Sequence, residues 1–104
     1  MKNPFANSLW LTPDRDIGST SPIIRKTFRV DSIPEGATLY VTGLGYFEAR
    51  LNGEKLGNEY FQPVASDYEK RNFTKILYPC HDRFTHRIYY NTYDVTGILR
   101  EGEN

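Results

Sequence analysis

Cys80, His81, Asp82 and His86 fall within one short stretch, and Cys with His can hold zinc in a tetrahedral site or form a nucleophile–base pair. One Cys and two His supply at most three nitrogen or sulfur ligands, and neighbours on an extended backbone point apart, so a solvated loop is the plainer reading. Gly43-Leu44-Gly45 lacks the third glycine and the following helix that a phosphate cradle needs. Glu48, Asp67, Glu69, Asp82 and Asp94 are the carboxylates that could pair as acid and base. Glu48 lies on the polar side of an alternating stretch, Asp67 and Glu69 sit beside Lys70 and Arg71, and Asp94 suits a cap, so each has an ordinary structural use. Rings and amides form the more promising set. Trp10, Tyr46, Tyr60, Tyr68, Tyr89 and Tyr93, with Asn52, Asn58, Asp67 and Asn91, offer flat apolar faces beside directional donors and acceptors, the chemistry that suits a pyranose ring. Packing across strands is the competing use of the same tyrosines.

The elements that must position these residues are short. The chain has 104 residues, enough for one domain, with 13 Lys+Arg balanced by 13 Asp+Glu. No net field draws it to nucleic acid or an anionic membrane, and Arg25-Lys26 and Lys70-Arg71 are isolated basic pairs. One cysteine allows no internal disulfide, no apolar run approaches the roughly 18 residues of a membrane span, and no apolar leader follows Met1, so a cytoplasmic setting is expected. Residues 1–21 read as an N-terminal arm pinned by Trp10, since Pro4, Pro13 and Gly18 favour turns. Ile23 to Val30 alternates with period two and predicts a half-buried strand carrying Ile24, Lys26, Phe28 and Val30 on one side. Ala37 to Thr42 and Tyr46 to Leu51 predict two more strands, separated by a bend at Gly43-Leu44-Gly45. Asn52-Gly53 predicts a tight hairpin into Glu54-Lys55-Leu56, because both residues accept the positive φ of a type I′ turn. Phe73 to Tyr78 and Ile88 to Val95 are β-leaning, Cys80 to Arg87 is a polar loop, and Asp94 or Thr96 suits the cap of a short turn through Ile98-Leu99. Many short strands between turn signals indicate an all-β sandwich or barrel.

Leu39-Tyr40-Val41-Thr42-Gly43-Leu44-Gly45-Tyr46-Phe47-Glu48, followed by Leu51-Asn52-Gly53-Glu54-Lys55-Leu56-Gly57, resembles the N-terminal β-sandwich domain of bacterial α-L-rhamnosidases. Further blocks agree in order: Arg25-Lys26-Thr27-Phe28, Ser66-Asp67-Tyr68-Glu69-Lys70-Arg71, Tyr90-Asn91-Thr92-Tyr93-Asp94-Val95-Thr96 and Glu101-Gly102-Glu103-Asn104. The likeness spans roughly residues 22–104. It implies a galactose-binding-like jelly roll over residues 22–104, an accessory domain placed before a catalytic (α/α)6 barrel that cleaves terminal rhamnose by inversion. By the same likeness the chain looks like a truncated piece lacking the barrel and its last strand or strands, with an exposed strand edge through which copies could self-associate.

The sequence also departs from the pattern. Asn72 to Ile88 is longer than the usual family version, and Ala65 stands where many relatives carry a tryptophan that could stack on a sugar. The resemblance implies an accessory domain packed on the catalytic domain; the rings, amides and carboxylates put its contacts with rhamnosyl carbohydrate at Asn52, Tyr60, Asp67 and Tyr68, with no catalytic residue and no bound metal expected. An autonomous rhamnose-type carbohydrate-binding module is the alternative, and calcium is the cofactor that some relatives use.

Overall fold

The computed structural model describes residues 2–63 and 88–104. Among them are six strands and no helix: β1 (Arg29–Val30), β2 (Thr38–Val41), β3 (Arg50–Leu51), β4 (Glu54–Lys55), β5 (Asn91–Asp94) and β6 (Gly102–Glu103). They pair as three antiparallel two-stranded ladders, β1 with β6, β2 with β5 and β3 with β4. The fold is all-β, as the alternation and turn chemistry indicate.

The β2–β5 ladder is the longest, with Thr38, Leu39, Tyr40 and Val41 opposite Asp94, Tyr93, Thr92 and Asn91. Because opposed residues share a face, Leu39, Val41, Asn91 and Tyr93 line one side and Thr38, Tyr40, Thr92 and Asp94 the other. At one end the Val95 N–H donates to Ala37 O and the Ala37 N–H to Thr96 Oγ1, so the chain is held one residue before the first paired residue of β2. The expected cap is present as well: the Asp94 carboxylate accepts from the Thr96 N–H and hydroxyl, and Leu99 N–H closes a single helical turn on Val95 O.

Asn52 and Gly53 take φ of 51° and 85°, and the two-residue loop sets Leu51 against Glu54 and Arg50 against Lys55. This is the hairpin that Asn-Gly predicts. Leu56, which follows it, hydrogen-bonds back to Ala49 O and, at 5% exposure, shares the core with Val95 at 5% and the buried Pro63. The bend after β2 is tight: a Cβ on Gly43 would lie 3.1 Å from Gly45 O.

Two expectations are corrected. The strand expected over Ile23–Val30 is laddered only at Arg29–Val30, extended by reciprocal bonds between Phe28 and Asn104. Alternation supplies a face but a strand also needs a neighbour, and Ile23 to Thr27 have none among the described residues; Ile23 and Ile24 are therefore exposed. The arm is not pinned by Trp10, which is 60% exposed; Phe5 makes the ring contacts to the sheet, with Tyr40 and Tyr90. A short turn explains the choice, since the Asn3 side chain accepts from the Phe5 N–H and Ser8 N–H donates to Phe5 O, which presents the phenyl ring. Phe73 to Tyr78 and the Cys80 to Arg87 loop lie outside the described residues.

Candidate functional site

Asn52 sits at the corner of the β3–β4 hairpin, where an asparagine tolerates the left-handed region. Its Nδ2 donates to Ile98 O and to Asn104 Oδ1, both at 2.9 Å. Asn104 Oδ1 also accepts from the Arg100 N–H, and Asn104 Nδ2 donates to Arg100 O and Gly102 O. The amide hydrogens of Asn52 are thus committed to holding the turn before β6 against the hairpin.

Tyr60 lies elsewhere, in the chain after Gly57, and is 74% exposed with the Lys55 ammonium 3.8 Å from its ring centroid. Beside it Phe61 is 75% exposed and Tyr46 63%, their rings edge to face at 5.4 Å. The bridge between Phe47 and Gln62, with Phe47 N–H donating to Gln62 O at 2.7 Å, brings these two segments together. Phe61 adopts φ of 56°, which is costly for a bulky residue and turns its ring to solvent rather than into the core. Sequence reading missed Phe61 and Lys55; two consecutive aromatics in a polar stretch were the available signal.

Behind this patch Asn91 Nδ2 donates to Gln62 Oε1 and Tyr93 OH, each at 3.2 Å, in a half-buried polar cluster. Tyr93 packs closely on Gly57, whose added Cβ would fall 3.0 Å from the ring. Asp67 and Tyr68 lie outside the described residues, so of the four residues expected at a carbohydrate site the structure places Asn52 and Tyr60, on different segments and in different roles.

Glu48 and Asp94, the described members of the acid–base candidates, are each engaged. Glu48 is paired with Arg50 through contacts of 2.8 and 2.9 Å on the surface. The Thr96 hydroxyl, followed by the Thr96 N–H, holds the Asp94 carboxyl below its ordinary value, against a small opposing effect of desolvation. Such a group stays ionised and serves as a cap, not as a proton donor. Calcium takes six to eight oxygen ligands. Among the described residues no three His, Cys, Asp or Glu side chains come together in a way that could hold a metal ion.

Residues 32–76 match the family described as Alpha-L-rhamnosidase N-terminal domain. The chain carries an α-L-rhamnosidase N-terminal domain. An Alpha-L-rhamnosidase of Formosa agariphila is 32% identical to it over 87 residues, which cover 84% of this chain and 8% of that protein. One from Streptomyces avermitilis is 38% identical over 68 residues, covering 65% of this chain and 5% of that protein. A further Formosa agariphila Alpha-L-rhamnosidase is 30% identical over 81 residues, covering 78% of this chain and 7% of that protein. The domain therefore spans less than a tenth of the length of these curated relatives. No solved structure matches it.

Proposed function

We propose that this rhamnosidase N-terminal domain is a non-catalytic accessory unit of a glycoside hydrolase, packing against the catalytic domain and presenting an aromatic surface toward rhamnosyl carbohydrate. The exposed rings of Tyr46, Tyr60 and Phe61 carry this reading. The exposed apolar side chains among the described residues leave area that a neighbouring domain can cover, and the ring faces beside Lys55 also suit the C–H face of a pyranose. The relatives, each an α-L-rhamnosidase more than ten times longer than the aligned segment, support the setting.

The test is the double variant Tyr46→Ser/Phe61→Ser in a full-length rhamnosidase that carries this domain. A packing face gives a lower melting temperature with KM unchanged. A sugar-contact face gives a higher KM with melting unchanged, and that outcome, joined by saturable heat when L-rhamnose is titrated into the 104-residue chain with and without calcium, favours the autonomous carbohydrate-binding module instead. If neither melting nor KM moves, the aromatic surface has neither role and the proposal fails.

A further inference from the structure

The face of the β2–β5 ladder that carries Thr38, Tyr40 and Thr92 has Tyr90 immediately before β5 and is covered in part by the N-terminal arm. Half-buried Phe5 lies 5.4 Å from the Tyr90 ring and 6.5 Å from the Tyr40 ring, at 80° to both, and the two tyrosines are 6.2 Å apart. These are edge-to-face contacts, which orient a ring without a covalent or hydrogen-bonded tie. Among the described residues the hydrogen bonds of the arm stay within it: Ala6 N–H to Asn3 O, Ser8 N–H to Phe5 O, Gly18 N–H to the Asp16 carboxylate, and Thr20 to Ile17 O. Leu9, Trp10 and Leu11 are exposed, while Pro13 and Ile17 are half-buried further along.

A segment with its own internal turn, one ring seated between two others and no ladder to the sheet among the described residues has the construction of a strap. We infer that residues 3–8 form a strap that closes over the β2–β5 sheet through Phe5 and opens by withdrawal of that ring. The Asn3 side chain bonded to the Phe5 N–H keeps the turn formed, so opening moves a preformed unit and needs no unfolding of the sheet. With Phe5 in place Tyr40 and Tyr90 are already 43% and 40% exposed and Thr38 and Thr92 are exposed, so opening frees only the part of the two phenol rings that Phe5 touches.

Backbone 15N relaxation on the full 104-residue chain tests this inference. In the unaltered chain the amides of residues 5–8 are expected to have order parameters near those of β2, about 0.85, and in Phe5→Ala below about 0.6. Phe5→Tyr, which keeps a ring, is expected to restore the closed values. Trp10→Ser is expected to change nothing at residues 5–8, and the melting temperature of Phe5→Ala checks that β2 and β5 stay folded. Order parameters below about 0.6 in the unaltered chain overturn the strap. So does a Phe5→Ala chain whose arm stays ordered, or a Trp10→Ser chain whose arm opens as far as that of Phe5→Ala.

Discussion

At the scale of single residues, the side-chain amides of Asn52, Asn91 and Asn104 are consumed by the fold. Asn52 combines a positive φ with two donated hydrogen bonds, so Asn52→Ala loses both bonds and places a Cβ-bearing residue without a compensating side chain in the left-handed region. A loss of about 2–3 kcal/mol is expected in urea unfolding, and Asn52→Gly, which relieves the backbone cost, is expected to lose about 1–2 kcal/mol. An equal loss in the two variants would show that the backbone conformation contributes nothing. Gly57 has φ of 73°, and a Cβ there would meet Glu59 Oε2 at 2.7 Å and the Tyr93 ring at 3.0 Å. Gly57→Ala is expected to cost at least 1 kcal/mol by the same measurement, since the side chain of Glu59 can move but the Tyr93 ring is held by Asn91. Asp94 sets a pH dependence. Its folded-state pKa is lowered, so its contribution is complete above the unfolded value of about 3.9 and is lost as pH falls through the folded value. Unfolding curves collected from pH 6 down to pH 2 should show Asp94→Asn with a shallower acid loss than the unaltered chain.

At the scale of elements, Leu56 directly after the hairpin and Val95 directly after β5 are the two large apolar side chains buried among the described residues. Leu56→Ala empties a buried apolar position beside the β3–β4 hairpin and is expected to cost about 2–5 kcal/mol, read from the midpoint of chemical unfolding. A loss under about 1 kcal/mol would mean that the site collapses around the deletion. The hairpin and the cap were legible from sequence because each depends on residues within a few positions: Asn52-Gly53 fixes two φ angles, and Asp94 and Thr96 satisfy each other locally. The extent of β1 was not legible. Its alternation runs back to Ile23, but its ladder is set by β6, more than seventy positions away, through Arg29–Glu103 and Val30–Gly102.

At the scale of the whole molecule, Ile23, Ile24, Leu44, Tyr46 and Phe61 add apolar area that the described fold does not cover, and among the described residues Ile23 to Thr27 have no ladder. Both features favour association, with an adjoining domain or between copies. Light scattering across a hundredfold range of concentration is expected to show the 104-residue chain growing in apparent mass as concentration rises. A constant monomer mass over that range would show that Arg25, Lys26 and Arg29 keep the edges apart by charge.

The sequence by itself determined the all-β class, the Asn52-Gly53 turn, the Asp94–Thr96 cap and, through its ordered blocks, the likeness to rhamnosidase N-terminal domains. These rest on local backbone preference and on residue patterns, which need no knowledge of distant partners. Tertiary structure alone decided that Asn52 donates to Ile98 and Asn104, that Phe5 rather than Trp10 reaches the sheet, and that Tyr46 and Phe61 meet at the surface. Each joins residues far apart in sequence, and residue type cannot tell which of several equivalent rings or amides will find its partner once the chain closes on itself.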